Sequence, residues 1–162
     1  MYARNLAVGG SIRAAIVGAG YIADFHTRAI KAVHGVELAA VCDVNATAVE
    51  AFAKSWGVPA YTSLEAMLSE QRLDVVHVLV PPDLHHKVAK AALEAGVSVL
   101  LEKPMCVSAD ETRDLLAIAN AKGLTVGVNH SMLFEGAFQR LRDHVRRGDL
   151  GPLDHVTINY FA

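Results

Sequence analysis

The segment Gly18-Ala19-Gly20-Tyr21-Ile22-Ala23 matches G-x-G-x-x-A, a spacing suited to bringing backbone amides up to a phosphate. Gly18 permits a tight turn and Gly20 lets the main chain approach a pyrophosphate. The small Ala23 allows the following helix to pack closely on the preceding strand, and the helix N-terminus offers free N–H groups and partial positive charge. Asp43 ends the next apolar run, where its carboxylate can accept hydrogen bonds from the hydroxyls of an adenosine ribose. A carboxylate there repels a 2′-phosphate, so the pairing favours NAD over NADP. Two other readings use the same residues: a plain tight turn with Asp43 as a helix cap, and the glycine turn of an S-adenosylmethionine enzyme.

Three further places carry chemistry, each at the end of an apolar run. Pro81-Pro82-Asp83-Leu84-His85 follows Val80, Glu102-Lys103-Pro104 follows Leu101, and Asn129-His130 follows Val128. In a doubly wound sheet, ligands lie beyond the carboxyl ends of the strands. An ammonium group at Lys103, beside a nicotinamide, could orient a hydroxyl substrate and stabilise an alkoxide-like transition state. An ordinary solvated strand end accounts equally well for the same residues. Pro104 removes a donor and fixes the turn, through either a trans or a cis bond. His85 and His86 point about 100° apart on a helix, so only one can face a small site and the other belongs to the surface. His130 reads as a strand terminator before a ligand contact. The histidines are otherwise scattered, without His-Glu-x-x-His, so no metal site is expected.

The elements that must position these groups follow a βα rhythm. Apolar runs at Ile12–Val17, Val36–Cys42, Asp74–Val80, Val97–Leu101 and Leu124–Val128 are nearly continuous, as strands are when helices cover both faces of a parallel sheet. Helix punctuation separates them. Asn45 or Asp43 caps a helix ending at Gly57, and Ser63 opens a short one towards Glu70. Asp83 starts another that runs to Ala95, with Leu84, Val88, Ala91, Ala92 and Ala95 as its inward stripe. Ser108 and Glu111 form a capping box for a helix ending near Gly123, and a last helix spans Glu135–Arg147. The expected class is α/β, a doubly wound parallel sheet of Rossmann type.

Composition agrees. The 162 residues are 52% hydrophobic and 20% charged, enough for one sizeable core and too few for two full α/β domains. A net charge of −2 gives no field for a phosphate backbone, which disfavours nucleic-acid binding. Cys42 and Cys106 make no disulfide framework and no zinc spacing, so a reducing compartment fits. No apolar run approaches the ~20 residues of a membrane span, and a cytoplasmic protein with no membrane partner is expected. Residues 1–11 read as a tail and 12–150 as the dinucleotide-binding domain. From residue 151 the pattern changes: Asp154–Tyr160 alternates like a half-exposed strand, the expected start of a second, truncated α/β domain. Its open edge invites pairing with a second copy into a homo-oligomer.

Taken together, Gly18 to Ala23, Asp43, Pro81 to His85 and Ala95-Gly96 through Glu102-Lys103-Pro104 resemble the Gfo/Idh/MocA family, named for glucose-fructose oxidoreductase and inositol dehydrogenase. The resemblance runs from Ile12 to about Tyr160. It implies an NAD(P)-binding N-terminal domain of a dehydrogenase that transfers hydride at a hydroxyl carbon of a sugar, polyol or related compound. It also implies roles. Gly18, Gly20, Tyr21, Ile22 and Ala23 would hold the pyrophosphate and Asp43 the adenosine ribose. Pro81, Pro82 and His85 would lie along the nicotinamide side. Glu102 would contact the cofactor, and Lys103 would share a proton between nicotinamide and substrate as the catalytic residue. Asn129 would stand near the substrate pocket. Val80 replaces the family's usual Thr, and none of the aspartates is followed four residues later by His, so the family's Asp-x-x-x-His pair is missing from this chain. A dinucleotide-binding module without chemistry of its own is the alternative.

Overall fold

The computed structural model describes residues 11–157. Six strands form one sheet: β1 (Ile12–Val17), β2 (Val36–Cys42), β3 (Ala60–Tyr61), β4 (Val75–Val78), β5 (Ser98–Leu101) and β6 (Val126–Val128). Their order is β3-β2-β1-β4-β5-β6, and every neighbouring pair is parallel. The order reverses between β1 and β4, which opens a crevice at their carboxyl ends. The expected doubly wound sheet is the observed one.

Alternation along β1 shows why both faces need helices. Ala14 and Ile16 join one core with Ala23, Ile30, Val49 and Ala53, whereas Ala15 and Val17 join another with Met67, Leu93, Leu115 and Ala119. The first core is roofed by α1 (Tyr21–Ala32) and α2 (Ala46–Trp56), and the second by α3 (Leu64–Glu70), α4 (Pro82–Glu94) and α5 (Ala109–Lys122). Ile16, Leu93, Leu101 and Leu115 are fully buried, each contributing about 2 kcal/mol through lost water contact.

The caps explain the helix limits. Asn45, not Asp43, caps α2, its side chain accepting from Ala48 N–H at 3.1 Å. Ser63 and Ser108 accept from Ala66 and Glu111 N–H, both at 3.2 Å. The return bond of the expected capping box lands one residue earlier, on Val107 N–H. Gly57 and Gly123 close α2 and α5 in the left-handed conformation that glycine adopts without strain.

One strand goes beyond the sequence reading, and one expectation needs correction. The two-residue strand β3 falls below the length at which an apolar pattern is visible. In α4 the buried residues are His85, Ala89, Ala92 and Leu93, while Leu84, Val88 and Ala91 line a cavity above the crevice. The helix therefore carries two apolar faces: of the expected stripe Ala92 is buried in the core and Val88 packs against it from the cavity side, while the stripe missed Ala89 and Leu93.

Residues 130–157 form a separate unit. It holds a 3₁₀ turn at Ser131–Phe134 and α6 (Gly136–Arg147), ended by Gly148. Residues 154–157 are not in a strand. The rest of the strand expected at Asp154–Tyr160 lies outside the described residues, as does nearly all of the expected tail. Among the described residues no helix is long and apolar enough to cross a membrane.

Candidate functional site

Gly18 turns the chain out of β1 with φ +103, and its N–H donates to Cys42 O at 2.8 Å. A Cβ at this position would lie 2.7 Å from Leu79 O, so the turn fits against the end of β4 only because it has no side chain. Gly20 differs. It is the N-cap of α1 with φ −80, no side-chain cap, and nothing within 4 Å of a Cβ placed on it. The first-turn amides of Tyr21 and Ile22 thus open α1 beneath free space, the arrangement in which a helix N-terminus takes an anion. Ala23 is fully buried, which gives α1 its close approach to the sheet. Tyr21 is exposed and meets Phe25 edge-on at 5.2 Å.

Asp43 is tied into this turn. Its Oδ2 accepts from Ala19 N–H at 2.7 Å and its Oδ1 from Asn45 N–H at 2.8 Å. Each oxygen keeps a lone pair, so the carboxylate is oriented by the backbone and still able to accept from a diol. Gly18, Gly20, Asp43, Leu79, Val80 and Pro81 line one cavity of about 560 Å³ together with Leu84, Lys87 and Val88 of α4. Cys42 also lines it. Burial first, then the Asp43 and Glu65 carboxylates, push its thiol up to about 11, so it stays a neutral apolar wall rather than a nucleophile.

The two proline turns meet at His85. Pro81 is the N-cap of α4 and Pro82 its first residue, where a missing N–H costs nothing. His85, in the first turn, is 1% exposed. Its Nε2 lies 2.8 Å from Val80 O and its Nδ1 2.8 Å from Pro104 O, so the ring is wedged between the β4 and β5 turns, an N–H donating to a carbonyl there, and does not line the cavity. The Lys103–Pro104 bond is cis. Lys103 itself is exposed, and among the described residues its ammonium joins no ion pair. His86 is the surface member of the histidine pair, with Nε2 2.8 Å from Asp114 Oδ2 and Lys90 on the same oxygen.

Glu102 sits in a network that spacing did not disclose. Its Oε1 accepts from Asn129 Nδ2 at 2.6 Å and from His26 Nε2 at 3.0 Å, and its Oε2 accepts from Lys103 N–H at 3.2 Å. Burial favours the neutral acid, but these hydrogen bonds and the neighbouring His26 imidazole outweigh it and hold the carboxyl below its usual range. Behind His26, its Nδ1 meets His77 Nδ1 at 2.9 Å, the rings nearly perpendicular. Gly18, Gly20, Asp43 and Pro81 are thus brought to one cavity, while Glu102, Asn129 and Lys103 gather at the ends of β5 and β6 and His85 stands behind both turns. The missed residues are His26 and His77. One signal was available: His77 interrupts an otherwise apolar strand, Val75–Val78.

Burial first, then the neighbouring His26, push His77 from the usual 6.5 down to about 4. In that window the unfolded chain binds a proton that the folded one refuses, so stability falls as pH drops from about 6.5 to about 4. The loss approaches about 3 kcal/mol in order of magnitude. Denaturant titrations across this range should show it, and His77→Leu should flatten the slope; an unchanged slope in the variant would assign the acid sensitivity elsewhere.

Among the described residues no group of His, Cys, Asp and Glu could hold a metal ion. Residues 12–130 match the model of the GFO_IDH_MocA oxidoreductase family, NAD-binding Rossmann fold. The chain is 33% identical over 144 residues to D-glucoside 3-dehydrogenase of Escherichia coli, covering 88% of this chain and 41% of the relative. It is 31% identical over 131 residues to UDP-N-acetylglucosamine 3-dehydrogenase of Acidithiobacillus ferrooxidans, covering 81% and 41%. Among solved structures, WlbA dehydrogenase from Bordetella pertussis, in complex with NADH and UDP-GlcNAcA, superposes with a TM-score of 0.84 at 27% identity, covering 87% of this chain and 43% of that one. The chain therefore spans about 41% of the length of these curated relatives. With the family model spanning residues 12–130, from β1 to the residue after β6 and Asn129, the chain belongs to the Gfo/Idh/MocA oxidoreductase family.

Proposed function

We propose that this chain binds NAD across the β1–β4 crevice and forms the cofactor half of a dehydrogenase that moves a hydride between the nicotinamide and a hydroxyl carbon of a sugar or polyol. The observation that carries the reading is the 2.7 Å bond from Ala19 N–H to Asp43, which joins the side-chain-free glycine turn and the ribose-binding carboxylate at the mouth of one cavity. The amides of Gly20, Tyr21 and Ile22 take the pyrophosphate, while Ala23 sets the height of α1. Asp43 grips the adenosine ribose and repels a 2′-phosphate, so NAD is preferred to NADP. Leu79, Val80 and Pro81 give the cavity its apolar wall, and Pro82 and His85 hold that wall in place. The bound cofactor supplies or accepts the hydride; Glu102 orients it, and Lys103 donates or receives the hydroxyl proton. The names of the curated relatives, dehydrogenases of D-glucosides and of UDP-N-acetylglucosamine, support the sugar class.

Asp43→Asn tests the cofactor side. The amide oxygen keeps an acceptor for Ala19 N–H, while the charge that repels a phosphate is gone. The ratio of NADH to NADPH affinity, read by nucleotide fluorescence, should shift towards NADPH by about tenfold, or about 1.4 kcal/mol. An unchanged ratio would remove Asp43 from the ribose.

A further inference from the structure

We propose that His26 and His77 are positioning residues, which, with Asn129, lock the Glu102 carboxylate so that the one free lone pair of Oε2 meets a hydroxyl of the nicotinamide ribose. The inference rests on NAD binding in the crevice, as proposed above, and adds two residues to it.

Counting donors and acceptors carries the argument. A carboxylate has about four acceptor positions. Oε1 of Glu102 is saturated by Asn129 Nδ2 and His26 Nε2, and Oε2 has one bond, from Lys103 N–H. One position is left, on the oxygen nearest the Lys103 turn, and the side chain remains 16% exposed. The three donors come from three elements: α1, the end of β5 and the end of β6. They leave the carboxylate no second orientation that keeps all its bonds.

The imidazole roles follow from the partners. Nε2 of His26 faces a carboxylate, which only accepts, so it carries the proton. Nδ1 of His26 is then free to accept from Nδ1–H of His77, at 2.9 Å. His77 lies in the middle of β4, anchored by the sheet, and its ring stands at 85° to that of His26. The titratable groups facing this pair are each other and Glu102. Burial disfavours a second proton on His77, which keeps the donor direction towards His26 fixed. His26 belongs to α1, the helix whose N-terminus faces the pyrophosphate, so one hydrogen bond ties the phosphate helix to the Glu102-Lys103 turn. The two ends of a dinucleotide are held at a set distance by this link.

The test separates the two halves of the nucleotide, using the full chain and three probes. NADH and ADP-ribose carry the ribose that Glu102 would meet; ADP does not. His26→Met, which keeps the bulk and loses the donor, should weaken NADH and ADP-ribose by about tenfold and ADP by less than about twofold. His26→Gln places an amide N–H where Nε2 was and should restore both within about threefold. Asn129→Leu removes the other donor on Oε1 without touching α1 and should show the same split, which keeps the test informative should His26→Met fold poorly. Equal losses for ADP and NADH, or no loss in either variant, would overturn the assignment of His26, His77 and Asn129 as positioning residues. Failure of the unaltered chain to bind NADH would instead overturn the cofactor reading on which it stands.

Discussion

Alanine at Gly18 should cost on the order of 4 kcal/mol of stability, whereas alanine at Gly20 should cost less than about 1 kcal/mol and weaken cofactor binding. The two glycines stand two residues apart and do different work. At Gly18 the backbone has φ +103, which side chains rarely tolerate, and the added carbon would lie 2.7 Å from Leu79 O. Neither atom can yield cheaply, because Leu79 is held by its N–H bond to Val17 O at 2.8 Å. A loss of this size is a large fraction of an ordinary domain's stability, so the variant should show a sharply lower denaturant midpoint. At Gly20 the backbone is ordinary and the space is empty, so a methyl group is sterically harmless to the folded chain. That empty space is where the pyrophosphate would lie. Gly20→Ala should therefore unfold near the unaltered midpoint and weaken NADH by tenfold or more, about 1.4 kcal/mol at the least. If both variants lost stability equally, Gly20 would be a structural residue and the cradle would be misplaced.

The second large effect concerns Lys103. In the chain joined to a substrate domain, Lys103→Ala should lower turnover by about a thousandfold, roughly 4 kcal/mol of transition-state stabilisation, and change NADH affinity by less than about threefold. The side chain is exposed and has no ion-pair partner among the described residues, so its removal leaves the fold intact. Its neighbours are the constrained ones: Glu102 is held by three donors, and Pro104 O lies 2.8 Å from the buried His85 ring. An ammonium group on a rigid base, itself unengaged, is suited to a partner that arrives with the substrate. Lys103→Arg should not restore turnover, because a guanidinium does not release a proton at neutral pH. Equal losses in turnover and affinity would make Lys103 a binding residue and favour a module without chemistry of its own.

Where local chemistry decides the structure, the amino-acid sequence was readable to within a residue or two. Asn45, Ser63 and Ser108 stand at helix starts, and Gly57, Gly123 and Gly148 at helix ends, because a side-chain acceptor or a left-handed turn is needed there and few residues supply either. The glycine turn was equally legible, since its role depends on a missing side chain. What stayed hidden depends on distant partners. Asp43 and Asn45 compete as caps on paper, and only the fold sends Asp43 back to Ala19, 24 residues earlier. His85 reads as a first-turn residue free to face a ligand, yet its ring is enclosed between carbonyls of two separate turns. His26 and Glu102 are 76 residues apart and meet only because β1, β4 and β5 are neighbours in the sheet. The Leu84, Val88 and Ala91 face of α4 looked like core because apolar residues line a cofactor-sized cavity as readily as they fill an interior.

Titration of the purified chain with NADH, followed by nucleotide fluorescence, tests the central claim most directly. Saturable one-to-one binding that is weakened by Gly20→Ala, with NADPH binding more weakly than NADH, is the predicted result. An NADH signal that rises linearly into the millimolar range, or one that Gly20→Ala leaves untouched, would contradict it.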